Sequence, residues 1–403
     1  DDLQIAIETA VRSSQSRPRL GGSPARGSVF SLRSDRMTPQ SRGLIRSCAR
    51  VMLTARLGAI DQQLTRLFEP MPIVEAVPHA PARPTYSDAV VPVADEPGEE
   101  LEFFNGLGGF AADGREYVTI LKAGDATPAP WINVIANAGF GFQVSARGSG
   151  YTWCENSREN QLTQWSNDPV VDPSGEAIYI RDEASGALWS PTPQPIRDDG
   201  VYVARHGFGY SRFTHEAQGI ASTLTQFVPL ADPVKISRLT LRNRSNVSRR
   251  LTVTAYAEWV LGTARGASGP FLSSEFDGTR GVLLVRNPWN MAFPDRVAFA
   301  DLAGRQTAWT ADRRAFLGDG GTPAAPAALM PGASLSRASG SGLDPCAALQ
   351  RSVTIAPGET VEIVWFLGQC EIVEAVLALL LAAHRPDASV RVVNHLCEAG
   401  EEC

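Results

Sequence analysis

From residue 101 onward, apolar and polar positions alternate in short runs broken by Gly, Pro, Asn and Asp. Alternation with a period of two sends successive side chains to opposite faces of a strand, so the runs predict β-structure. "REYVTIL", "GFQVSA", "AIYIRD", "VYVARH", "STLTQFVPL", "KISRLTLRN", "RRLTVTAYAEWV", "GVLLVRN", "RVAFADLA" and "RSVTIAPGETVEIVWFLGQ" all read as strands. "SGEAIYIRDEASGALWS" reads as a hairpin around a Ser-Gly turn, and "LTLRNRSNVSRRLTVTAYAEW" as two long strands joined by a polar loop. The glycines of "FFNGLGGFAADGREYV" suit tight backbone turning. Their spacing is not G-x-G-x-x-G, and a strand follows where a phosphate loop needs a helix N-terminus. The fold class expected is mainly β, with one large β-sandwich over residues 101–370.

The period changes on either side of this region. Residues 1–75 read as a helical segment. "DDLQIAIETAVRSS" has an acidic first turn, and "TPQSRGLIRSCARVMLTARLGAIDQQLTRLFE" opens on a Thr-Pro cap signal. The second run repeats Leu44, Ile45, Cys48, Val51, Met52 and Leu53 along one face. Residues 76–100 are rich in Pro and Ala and end in acids, the composition of an extended linker. Residues 371–403 return to helix over "EIVEAVLALLLAAHRPDASVRVVNHL" and close on "CEAGEEC", which continues no element.

Composition narrows the function classes. A chain of 403 residues has room for two or three domains, and 43% hydrophobic with 20% charged residues is an ordinary globular balance. A net charge of −6 gives a nucleic-acid partner no support. Basic residues between Arg12 and Arg56 read as a solvated helical face, with contact to an anionic surface as the alternative. The longest apolar run, residues 372–383, falls short of the roughly 20 residues of a membrane span. No secretory signal opens the chain, and a first residue other than Met points to a processed or partial product. Its six Cys show no C-x-x-C pair and no His at zinc-ligand spacing. Free thiols in a reducing, cytoplasmic setting are therefore expected, with no metal site.

Candidate chemistry concentrates between residues 128 and 195. Trp131, Tyr151 and Trp153 lie among Asn133, Asn137 and Asn156, and amides offer both donors and acceptors to a hydroxyl-rich ligand. Core packing and turn formation account for the same residues. In "SRENQLTQWSNDPVVDPSGEAIYIRDEASGALWSPTPQP", the candidate carbohydrate-binding residues are Asn160, Gln161, Thr163, Gln164, Trp165, Asn167 and Trp189. The two tryptophans are equally open to a core role. Arg181 and Asp182 are expected to pair with each other. Carboxylates are plentiful (Asp168, Asp172, Asp182, Asp198, Asp199 and Glu258), but none stands in an acid-plus-nucleophile arrangement. His79, His206, His215, His384 and His395 have no triad company, and no G-x-S-x-G elbow is present. No catalytic residue is assigned.

The order of several motifs carries a resemblance. "FFNGLGGFAADGREYV", "TPAPWINVIANAGFGFQVSARGSGYTWCENSRENQLTQWSNDP", "GEAIYIRDEASGALWSPTPQPI", "RHGFGYSRF", "LTVTAYAEWVLG" and "DRRAFLGDGG" together resemble the N-terminal β-supersandwich of glycoside hydrolase family 94. This is the cellobiose/chitobiose phosphorylase family, and the cyclic β-1,2-glucan synthase branch is the most similar. "LTARLGAIDQQLTRLFE" is similar to the segment that precedes the domain in that branch.

The resemblance implies a sandwich, then linker helices, then an (α/α)₆ barrel that holds the catalytic Asp and inorganic phosphate for an inverting phosphorolysis. It places those groups beyond this chain, so no cofactor is expected here. The function implied is that of a carbohydrate-binding portion of a glycosyltransferase or phosphorylase, inactive alone. Its partners would be a β-glucan or oligosaccharide and the barrel of a parent chain attached to the bacterial inner membrane. The alternative is a docking or homodimerisation module without sugar contact. Gln161 stands where relatives carry Arg, Gln164 where they carry Pro, and "FLGD" where "FLGR" is usual. Losing an Arg removes a strong donor to a sugar or phosphate.

Overall fold

The computed structural model describes residues 101–376 apart from Ala112 and Asn167, and outside that stretch residues 6, 9, 37–49, 53, 59–63 and 380. The chain divides into two units, 1–79 and 80–403. In the first, helix α1 (Pro39–Cys48) starts where the Thr-Pro signal lies. Thr38 Oγ1 accepts the Ser41 N–H at 3.1 Å, and Pro39 occupies a position whose N–H would have no helical acceptor. Leu44 and Ile45 are exposed on it. Most of the rest of the expected helical segment, the linker, and residues 381–403 lie outside the described residues.

The second unit is the sandwich. Its strands begin with β1 (Gly108–Phe110), β2 (Glu116–Leu121), β3 (Ile132–Ala136), β4 (Phe140–Ser145), β5 (Gly150–Cys154) and β6 (Gln161–Thr163). They continue with β7 (Glu176–Asp182), β8 (Leu188–Trp189), β9 (Tyr202–Gly207), β10 (Tyr210–Ala217), β11 (Ile220–Phe227), β12 (Val234–Asn243) and β13 (Arg249–Gly262). The last are β14 (Ser273–Asp277), β15 (Val282–Arg286), β16 (Val297–Asp301), β17 (Ala308–Asp312), β18 (Pro345–Ile355) and β19 (Thr360–Cys370). Two short helices, α2 (Arg265–Ser268) and α3 (Arg313–Leu317), interrupt them.

One sheet has ten strands in the order β1-β2-β9-β10-β11-β12-β19-β16-β15-β14. The other runs β17-β18-β13-β6-β5-β4-β3, with β7 and β8 branching from β13. Every named pairing among the described residues is antiparallel. β13 is the branch point. β18 lies on one flank, while on the other β7 pairs with Leu251–Ala257 and β6 with Trp259 and Gly262. The polar loop after "LTLRN" therefore carries the chain from one sheet to the other, since β12 and β13 belong to different sheets.

Burial follows the alternation. β10 and β11 bury every second residue, as "YSRFTHEA" and "IASTLTQF" predict. β13 is buried on both faces along nearly its whole length. One of its faces joins the main core with Phe142, Ile180, Phe213, Leu239 and Trp365, and the other packs Tyr256 against Phe316, Leu329 and Leu335. A third cluster covers the far side of the ten-stranded sheet with Val376 and Leu380 over Phe299 and Phe366. Full burial of each such aliphatic or aromatic side chain stabilises by about 1.5–3 kcal/mol. No helix among the described residues is long and apolar enough to cross a membrane.

The expected Arg181–Asp182 pair does not form. Neighbours on a strand point to opposite faces. Arg181 turns outward to Glu183 at 2.9 Å, whereas Asp182 turns inward and accepts from Arg249 Nη2 at 2.5 Å.

His206 on β9 bonds Ser211 Oγ through Nδ1 at 2.9 Å, and burial lowers its pKa from 6.5 to about 4. The unfolded chain takes up this proton near pH 6.5, but the folded ring stays neutral until about pH 4. The contribution is thus complete above pH 6.5 and is lost as the pH falls towards 4, a loss of up to about 3 kcal/mol. Urea unfolding across this window should show a shallower decline for His206→Asn than for the parent chain. An identical pH slope in the two would remove His206 from the account.

Candidate functional site

Where β4, β5 and β6 run side by side, a buried polar frame holds β5 and β6 to β7 and to β12 of the facing sheet. Glu176 is almost fully buried and accepts from Thr152 Oγ1 and Thr163 Oγ1, each at 2.6 Å. Its second oxygen accepts from Lys235 Nζ at 2.7 Å. Burial pushes the Glu176 carboxyl up, but the charge and hydrogen bond of Lys235, with the two threonines, outweigh it and leave the pKa below the usual carboxylate value. Because Thr152 points inward, the residues beside it on β5, Tyr151 and Trp153, point outward and are half-buried.

Across the outer face, register places Val134, Gln143 and Tyr151 in one row and Ala136, Gly141 and Trp153 in the next. Gly141 is required there. A Cβ at this position would lie 2.5 Å from Trp153 Cζ2, so only glycine lets the indole lie across β4. Trp165 follows the end of β6 and is 47% exposed. Its ring centroid is 6.1 Å from that of Tyr151, which in turn is 5.2 Å from Trp153. Ile132 and Val134 extend this surface at the sheet edge, both exposed. The result is three neighbouring rings on an open sheet face. Burial raises the pKa of the Tyr151 hydroxyl, so it stays a neutral donor and acceptor.

The candidate residues separate sharply. Asn160 is fully buried, donating to Cys154 O at 3.0 Å and Gln369 Oε1 at 2.7 Å. Thr163 is buried on Glu176, and Trp189, at 3% exposure, lies in the main core. Buried side chains with these partners serve the interior and are not surface contacts. Gln161 is a brace: Nε2 donates to Thr263 O at 3.4 Å, and Oε1 accepts the Trp165 N–H at 3.4 Å. Gln164 is partly exposed beside Trp165, and Asn167 lies outside the described residues. Of the set, Trp165 is the ring brought to the surface.

The amides that looked available to a ligand are mostly structural. Asn133 Nδ2 donates to Gly207 O and Tyr210 O, and Asn137 Nδ2 to Pro229 O and Asp232 O. Asn156 Oδ1 closes the turn at Arg158 and Glu159. Gln143, which no sequence signal singled out, faces outward beside Tyr151. The Y-T-W spacing of "GYTWC" did hold the information that two rings share one face.

Of the candidate carboxylates, Asp168, Asp172, Asp182, Asp198 and Glu258 are likewise engaged. Asp198 meets His215 Nε2 at 3.1 Å, Asp172 accepts from Ser145, and Glu258 accepts from Tyr256 and Arg313. Backbone N–H groups of Val171 and Val170 hold Asp168 below its usual pKa. The described cysteines are free thiols, three of them buried, and burial drives Cys154 up to about 12. Among the described residues no cluster of His, Cys, Asp or Glu could hold a metal ion.

The fold is an antiparallel double sheet with one aromatic outer face, and the family follows from comparison. The model of the family "Glycosyl hydrolase 94, supersandwich domain" matches residues 115–386, and the chain belongs to that family. Among individual proteins, it is 39% identical over 384 residues to the cyclic beta-(1,2)-glucan synthase NdvB of Rhizobium meliloti (strain 1021). That alignment covers 94% of this chain and 14% of the synthase. It is also 29% identical over 270 residues to N,N'-diacetylchitobiose phosphorylase of Vibrio furnissii, covering 65% of this chain and 33% of the enzyme. Solabiose phosphorylase of Paenibacillus borealis is 28% identical over 270 residues, covering 64% and 34%. The chain thus spans about a third or less of these curated relatives.

Proposed function

We propose that this chain is the sugar-handling sandwich of a cyclic β-1,2-glucan synthase, with catalysis carried by an (α/α)₆ barrel of the parent protein and inorganic phosphate bound there. The observation that carries this reading is the open face of Tyr151, Trp153 and Trp165, set in a family whose relatives are named for acting on glycosides. Flat rings can stack on the C–H faces of pyranoses, and the Tyr151 hydroxyl and Gln143 amide can meet hydroxyls at the ring edge. Gln161 Oε1 accepts the Trp165 backbone N–H at 3.4 Å, which ties the chain down at the root of this side chain.

Calorimetric titration of β-1,2-gluco-oligosaccharides into the full chain tests this. Binding in the millimolar range or tighter is expected, with Trp165→Ala weakening it about tenfold, or about 1.4 kcal/mol. The unfolding free energy should stay within about 0.5 kcal/mol of the parent's, because a half-exposed ring contributes little to the core. The exposed Ile132 and Val134 favour a second reading, in which the same face docks a protein surface, the barrel or a second copy. No heat with sugar, together with self-association that Val134→Lys abolishes, would replace the first reading by the second.

A further inference from the structure

Behind the Glu176–Lys235 pair, between the two sheets, lies a cavity lined by that pair with Gly148, Thr192, Gln226 and Trp365. It has room for about one water molecule. Two of its lining side chains carry a buried polar atom with no partner among the described residues, Gln226 Oε1 and Trp365 Nε1. Both side chains are more than nine-tenths buried, at 7% and 3% exposure. Gln226 Nε2 is committed to Ser237 Oγ at 3.1 Å, which leaves the amide oxygen as the free group.

Lys235 supplies a further donor. Its ammonium has three N–H groups. One meets Glu176 Oε2 at 2.7 Å, and the Phe142 ring centroid lies 4.2 Å from Nζ and faces a second. The charges of Lys235 and Glu176 cancel, so the cavity favours neither an anion nor a cation, and its size excludes a sugar ring or a phosphate.

We infer that this cavity is a built site for a single ordered water. The water accepts from Trp365 Nε1 and Lys235 Nζ and donates to Gln226 Oε1. Three hydrogen bonds is the usual complement of a buried water, and here they satisfy the two orphaned atoms together. The site belongs to the frame behind the aromatic face, since Glu176, which Lys235 grips, also holds Thr152 and Thr163.

A high-resolution crystal structure of the chain tests the site directly, with NMR as the solution counterpart. One water peak within hydrogen-bond distance of all three groups is expected. The Trp365 indole proton, assigned through Trp365→Phe, should show a cross-peak to long-lived water, and Gln226→Met should lose both signals. A dry cavity, or an indole N–H bonded directly to Gln226 Oε1, overturns the inference. If Gln226→Met fails to fold, the density and cross-peak of the unmodified chain decide alone.

Discussion

Replacing Lys235 with alanine is expected to lower the unfolding free energy by about 3–5 kcal/mol at neutral pH. The substitution leaves Glu176, only 4% exposed, without its counter-charge and still fixed by Thr152 and Thr163. In the parent chain Lys235 holds the Glu176 pKa below the usual value despite burial. Its contribution is therefore complete above the unfolded value of about 4.3 and is lost as the pH falls through the lower folded value. In the variant, burial acts unopposed and the carboxyl protonates more readily. The deficit should accordingly be large at pH 7 and shrink towards pH 4. Urea unfolding at the two pH values measures this, and Lys235→Met combined with Glu176→Gln should recover most of the loss. A single-variant cost below about 1 kcal/mol would show that water reaches the pair freely.

Trp189→Ala is expected to cost about 3–5 kcal/mol, or roughly 10 °C in Tm. Trp189 pairs with Ile180 across the β7–β8 hairpin and sits in the main core. Its Nε1 has no hydrogen-bond partner among the described residues, so the loss is one of packing and cavity formation. Sugar affinity, measured where the variant is still folded, should not change. Trp165→Ala has the opposite signature, with weakened binding and intact stability. Should Trp189→Ala leave Tm within about 2 °C and weaken glucan binding, the indole belongs to the ligand and the assignment of the two tryptophans is reversed.

Trp165 and Trp189 also show where sequence reading stops. Both stand in polar, turn-rich text, and alternation does not tell them apart. Trp189 is buried because a two-residue strand, β8, folds back on β7, while Trp165 lies two residues past the end of β6. Strands this short are too brief for a period to register. Longer runs such as "YSRFTHEA" and "IASTLTQF" were legible because one face must meet the core along their whole length. The amides failed for another reason: the partner of Asn160 is Gln369, 209 positions away, and that of Asn133 lies beyond residue 206. Local text cannot distinguish an amide that staples remote segments from one free to bind. Arg181 and Asp182 are adjacent in sequence but not in space, because neighbours on a strand face opposite ways. Family membership was readable from the order of motifs, which survives changes in any one of them.

The branching at β13 has a consequence for how the molecule opens. Two separate sub-sheets, one through β7 and one through β6, hang on the same flank of a single strand whose other flank is closed by β18. Neither can peel away without uncovering the strand that secures the other, so the three behave as one cooperative unit. The rings of Tyr151, Trp153 and Trp165 therefore stand on a seam that separates only when much of the sandwich does. An aromatic surface anchored in this way keeps its shape on the timescale of global unfolding, far longer than a surface loop would.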